Sequence, residues 1–317
     1  MRATDAAHLS LMLAALGVAY LVPFELLLLS YIVLGPAHYA TEISWLHDRK
    51  YFLPQRGIAV ALAVLAVAAA IIENASLFGF VMWAAFVGCV LLVTTTTALQ
   101  TMVLVIVAIA LTAALVANGA SFAVLGILLP TLIHVSLFTL AFMALGAYRS
   151  GEKVQWLLVA VYLAAVALIL LAPPTAEMVI PTFGDVARDY FANVAPALGR
   201  LLGIPDLRLD TRLTGLLAFV YTYHYLNWFM KAEVIHWNKM TKSRLALVVA
   251  ASGASTAFYF YDLYFNDLFL YDVPLGFTVL LAFSLVHVVL EFPLNSLALR
   301  QLGAAIGAST MKVVQRA

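Results

Sequence analysis

Apolar runs of ~17 or more residues, each long enough to cross a bilayer, recur along the whole chain and constrain its fold more than any other feature. No water reaches the hydrocarbon core of a membrane, so a backbone placed there must satisfy its own N–H and C=O groups, which a helix does within one segment. Composition agrees: of 317 residues 65% are hydrophobic and 10% charged, far from the balance of a soluble globular domain. The chain reads as an all-α, polytopic transmembrane helical bundle, and strands are not expected.

About nine spans are expected, at 8–46 (long and broken), 57–73, 77–97, 100–118, 121–148, 153–172, 212–238, 244–262 and 273–298. The third and fourth are parted only by Thr94 to Gln100, so the count needs a tight hairpin there. Positive charge gathers in alternate loops: Arg49, Lys50 and Arg56; Arg149 and Lys153; Lys239, Lys242 and Arg244; then Arg300, Lys312 and Arg316. By the positive-inside rule this pattern sets the N-terminus outside and the C-terminus in the cytoplasm. Residues 1–317 form a single integral membrane domain. The stretch 173–212 is an extramembrane loop, in which Phe183 to Leu202 reads as an amphipathic interfacial helix. No removable signal peptide is expected, because a basic leader and a cleavage site are not evident.

Several partners are unexpected. The net charge is +1, and Lys and Arg are scattered at helix ends, which gives nucleic acid no basic patch. A single cysteine, Cys89, supports neither a disulfide framework nor a thiolate zinc site.

Four of the 7 histidines sit well inside expected spans: His38, His134, His224 and His287. At about 1.5 Å of rise per residue their distances from the span ends bring them to one level near the bilayer midplane. Glu42 follows His38 by four and Glu291 follows His287 by four, so each carboxylate shares a helix face with its histidine. A carboxylate in hydrocarbon is costly unless paired, bound to metal or wetted. Asn227 and Trp228 follow His224, with Tyr221, Tyr223 and Tyr225 around it. Pro36, Pro130 and Pro293 lie close to the same residues, and each frees a helix carbonyl and kinks its helix.

A lone intramembrane histidine often serves as a hydrogen bond between helices, but four at matched depth point to a shared metal site. Neutral imidazole suits iron foremost, and copper or zinc as well. Glu42, Asn227 and Glu291, with Tyr221, are the candidate catalytic groups, orienting the rings or joining the ion. Tyr225, Trp228 and Phe283 are expected to wall a substrate pocket. His47 and His236, beside Trp45 and Trp237, read as interface anchors, and Lys231 holds the inner end of its span or pairs with Glu42.

The segments GPAHYATE (35–42), LIHVSLF (132–138), YTYHYLNWF (221–229) and LVHVVLE (285–291), in that order, resemble the bacterial Brp/Blh family of membrane-bound beta-carotene cleavage dioxygenases. In that family a Gly-x-Pro-His segment with an acidic residue four positions on is followed by an Ile-His segment, a His-rich helix and a late Pro-His segment. The resemblance spans roughly residues 24 to 298. It implies a polytopic enzyme of a bacterial inner membrane with non-haem iron on histidines, His38, His134 and His224 among them, and Glu42 where the family has Asp. The family's third segment carries a second histidine where Trp228 stands, and its first motif places proline directly before histidine. The fourth ligand then falls to His287 or a carboxylate.

The leading expectation is a metal oxygenase, Fe2+-dependent, taking a lipophilic substrate such as a carotenoid or other isoprenoid from the bilayer. A reductant, where needed, comes from a partner, and a homo-oligomer is compatible with the sequence. Two rivals belong to other classes: a transporter or proton/metal-ion pathway through the same His/Glu cluster, and a haem-binding electron carrier with two histidines as axial ligands.

Overall fold

The membrane's demand for internal backbone hydrogen bonds is met by helices over nearly all of the described residues. The computed structural model describes residues 3–71, 75–94, 97–117, 129–174, 211–265, 269–270 and 273–314. Its order is α1 (Ala3–Leu21), α2 (Pro23–Asp48), α3 (Arg56–Ile71), α4 (Ala75–Thr94) and α5 (Ala98–Ala117). Next comes α6, a π-helical Leu129–Phe138 that continues as Thr139–Ser150, then α7 (Lys153–Leu171), α8 (Thr211–Met230), α9 (Lys242–Phe265) and α10 (Leu275–Val314). The one exception among the described residues is a ladder of Phe269–Leu270 with Val273–Pro274. The all-α class expected from the sequence holds, and this two-residue pairing lies between α9 and α10.

Among the described residues, five helices are long and apolar enough to cross a membrane, and they include Thr4–Leu21, Pro23–Asp48 and Leu275–Gly307. Arg56–Ile71, Phe78–Thr94 and Ala98–Ala114 are shorter apolar helices. The span expected at 212–238 stops at Met230, since Lys231 leaves helical geometry and His236 turns left-handed at φ 57°. The expected interfacial helix at 183–202 lies outside the described residues, as does nearly all of the 173–212 loop.

The span expected at 8–46 is two helices. Proline crowds the preceding residue out of the helical region, and Val22, at φ −141° and ψ 64°, breaks the chain before Pro23. Asp5 accepts a hydrogen bond from Gln155 at 2.6 Å, and the Tyr20 hydroxyl donates to the Ala172 carbonyl at 2.5 Å. The chain thus runs from the Gln155 end of the bundle to the Ala172 end along α1, and returns along α2.

Helix α2 carries a second irregularity. Pro36 has no N–H for the Ile32 carbonyl, and the helix loosens into a π turn at Ser30–Leu34. Thr256 of α9 donates to the orphaned Ile32 carbonyl at 2.8 Å, and Ser252 donates to the Pro36 carbonyl at 3.1 Å. The proline's cost is thereby met by a neighbouring helix, which pins α9 against α2.

Two buried apolar clusters flank the centre. One joins α1, α2, α7 and α8 through residues such as Met12, Leu28, Ile32, Tyr162 and Phe219. The other joins the end of α2 with α3, α4 and α10 through Leu46, Ala66, Met82, Val288 and Phe292. Arg244 closes one end of the bundle on Asp48 at 2.6 Å and on Ser44. Arg149 bonds Gln301 at 2.6 Å at that end as well.

Candidate metal centre

All four midspan histidines meet. His38 comes from α2, His134 from the π segment of α6, His224 from α8 and His287 from α10, and all are buried. Their rings form a closed circuit, with centroids 4.8 Å apart for His38 and His224, 5.2 Å for His224 and His134, 4.9 Å for His134 and His287, and 4.9 Å for His287 and His38. The Nε2 atoms of His38 and His224 are 3.1 Å apart. Two nitrogens bound side by side to one ion at ~2.0–2.1 Å each lie about 3 Å apart, so this spacing suits a shared metal.

The carboxylates stand between the rings. Glu42 Oε2 lies 3.1 Å from His38 Nε2 and 3.4 Å from His287 Nε2. Glu291 Oε2 lies 3.4 Å from His134 Nε2 and 3.8 Å from His287 Nε2. The donor atoms of His38, His224 and His287, and likewise those of His134, His287 and Glu291, fall within 4.8 Å of one another.

Hydrogen bonding at the far side of two rings orients them. The Ser284 carbonyl lies 3.0 Å from His287 Nδ1. A carbonyl only accepts, so Nδ1 carries the proton and Nε2 turns a lone pair toward both carboxylates. Thr139 Oγ1 sits 2.7 Å from His224 Nδ1, a contact in which the hydroxyl can donate or accept, and it orients the ring with Nε2 toward His38. A lone pair facing two carboxylates in a buried site is costly unless a proton or a cation lies among them. Glu42 Oε2, Glu291 Oε2, His287 Nε2 and both ring nitrogens of His134 have no hydrogen-bond partner among the described residues. Four imidazoles around that unmet demand are the donor set of a transition metal, and the residues present fit such an ion.

A cavity of about 230 Å³ touches the cluster, lined among others by His38, Glu42, His224, Asn227, Trp228 and Glu291. Toward the bundle end it reaches Trp45, Lys231 and Ile235. Trp45, near His47, faces inward and donates to the Ile235 carbonyl at 3.0 Å. His47 and His236 are exposed.

Trp228 lines this cavity, its ring 5.4 Å from His38 and its Nε1 donating to Thr41 at 3.0 Å. Tyr225 packs 5.0 Å from His38. Tyr221 lies one turn away against Tyr31 and Tyr225, at 6.0 and 5.8 Å, and is not among the residues of this cavity. Phe283 lines a second, more open cavity of about 410 Å³ with Ile43, Tyr51, Arg244 and Leu247.

Three contributors escaped sequence reasoning. Thr139 follows His134 by five, a spacing that aligns residues in a π-helix but not in an α-helix. Tyr39 stacks on His287 at 4.6 Å and 25°, and its hydroxyl meets that of Tyr225 at 2.7 Å. The Ser284 carbonyl has no side-chain signal at all.

Comparison with protein-family models, with curated proteins and with solved structures finds no match for this chain.

Proposed function

We propose that the protein is a membrane-embedded non-haem metal oxygenase, with iron as its ion and a lipophilic molecule such as a carotenoid or other isoprenoid as its substrate. The observation that carries this reading is the closed circuit of four buried imidazoles with two carboxylates set between them. His38, His134, His224 and His287 would hold the ion, with Glu42 and Glu291 as further ligands or as acceptors beside it. Bound iron supplies oxygen activation at positions the protein leaves open.

The chain's own groups do the rest. Ser284 and Thr139 hold two rings with Nε2 inward. Trp45, Phe142, Trp228 and Leu294 give the cavity an apolar wall that excludes bulk water and accepts a hydrocarbon chain. Glu42 and Glu291 are placed to accept or return protons at the metal-facing end. A reductant, where the reaction needs one, comes from a partner protein.

We place the protein in a bacterial inner membrane with the end bearing Arg149, Arg244 and Arg300 in the cytoplasm. Because α1 and α2 run in opposite directions, Asp5 then lies on the cytoplasmic side too. This reading departs from the nine-span arrangement, which sets the N-terminus outside.

The rivals fare differently. Two axial imidazoles of one haem lie across a porphyrin, about 4 Å apart at ~2.0 Å from the iron. The direct 3.1 Å approach of His38 to His224 leaves no room for the macrocycle. An ion pathway draws on the charged cavity lining of Glu42, Glu291 and Lys231, and differs from an enzyme in releasing its ion.

Oxygen uptake tests the proposal. Iron-loaded protein in detergent or lipid is expected to consume dioxygen when carotenoids or shorter isoprenoids are added, with at least a ~100-fold loss in His224→Ala, the general scale for removing a group central to catalysis. Iron-loaded protein that consumes none with any of these substrates contradicts the oxygenase reading and leaves the metal centre standing.

A further inference from the structure

Among the described residues, the charged groups lining the cavity at the metal centre are Glu42, Glu291 and Lys231. Lys231 follows His224 by seven residues, and sits about 10 Å farther along the helix direction. The cavity therefore gathers histidines, carboxylates and an ammonium, with Lys231 acting electrostatically on Glu291 and with Trp45, Phe142, Trp228, Ile235 and Leu294 supplying apolar wall.

The sum of charges gives this arrangement a consequence. With a divalent ion bound, four neutral imidazoles, two carboxylates and the ion add to zero. Summed over these described groups, Lys231 then leaves one positive charge in excess in a largely apolar space, where an excess charge is costly. We propose that Lys231 receives the acidic head of an anionic amphiphile, whose hydrocarbon chain lies along the aromatic wall toward the metal. This inference rests on the metal-centre reading and narrows its substrate class to lipophilic acids.

Size supports the narrowing. A space of about 230 Å³ holds on the order of ten non-hydrogen atoms, a water in the liquid taking ~30 Å³. A whole carotenoid is several times larger, so of the lipophilic substrates proposed above a shorter isoprenoid bearing an acid fits this space best. A short-chain acid, or the acidic end of a longer one, fits between Lys231 and the histidines.

The test compares octanoate, which is about that size, with 1-octanol. Binding is measured by calorimetry and by the spectrum of cobalt-substituted protein, in metal-loaded and metal-free samples whose metal content is assayed directly. Loaded wild type is expected to favour the acid by at least about tenfold, the scale of a hydrogen bond to a charged group. The preference should vanish in metal-free protein, where the carboxylates already offset Lys231. It should vanish in Lys231→Met and persist in Lys231→Arg, both with unchanged metal content. Equal binding of acid and alcohol by loaded wild type, or a preference that survives in Lys231→Met, overturns the proposal while the metal centre stands. Failure of the wild type to take up metal sinks both.

Discussion

At the scale of single residues, the proposed metal centre depends also on side chains that would not touch the ion. Thr139 is the clearest case, because its hydroxyl is 2.7 Å from His224 Nδ1 and fixes where Nε2 points. Replacing Thr139 with valine keeps the shape and removes that contact. Metal affinity is expected to fall about 10- to 100-fold, the scale for partners that orient a ligand, with helix content unchanged. Competition against a chelator of known affinity measures it, and an unaltered affinity would deny Thr139 its orienting role. The sequence reveals the residue types but only half of their pairing. His38 with Glu42 and His287 with Glu291 are legible as neighbours four apart on a helix, and they do lie 3.1 and 3.8 Å from each other. The crossed pairs, His287 with Glu42 at 3.4 Å and His134 with Glu291 at 3.4 Å, depend on how α2, α6 and α10 pack. No spacing within one helix encodes that.

At the scale of elements, irregular backbone positions the ligands. The Val22–Pro23 break follows from proline's clash with the residue before it, and can be read from the sequence. The π segment Leu129–Phe138 cannot, since its apolar residues suit either helical period, and it alone brings Thr139 into line with His134. The α9–α10 contact offers a direct test of packing. A Cβ on Gly276 would lie 2.8 Å from Asp262 Cβ and 3.0 Å from the Phe258 carbonyl oxygen. Gly276→Ala therefore forces the two helices apart, and is expected to destabilise the protein by about 1–3 kcal/mol, the usual cost of overpacking. Thermal unfolding in detergent reads this as a lower midpoint, and a midpoint equal to wild type would contradict so close an approach.

At the scale of the whole molecule, two apolar clusters enclose a polar centre that neither could tolerate unsatisfied. Burying two carboxylates and four imidazoles is costly, and the proposed shared cation would compensate that cost. Composition and the repeated apolar runs make the membrane bundle legible, because the bilayer leaves the backbone little choice. Topology is less so: the charge pattern alone leaves α1 joined to α2, whereas the Val22–Pro23 break separates them and the contacts Asp5–Gln155 and Tyr20–Ala172 show that they run in opposite directions. The measurement that bears most directly on the account is elemental analysis of the detergent-purified protein, wild type beside His224→Ala, with a visible spectrum of both. Near-stoichiometric iron in wild type, without a Soret band and largely lost from the variant, is the expected result. Carefully prepared wild type that carries no transition metal and takes up none on addition would contradict the account, and would leave the four histidines as contacts between helices.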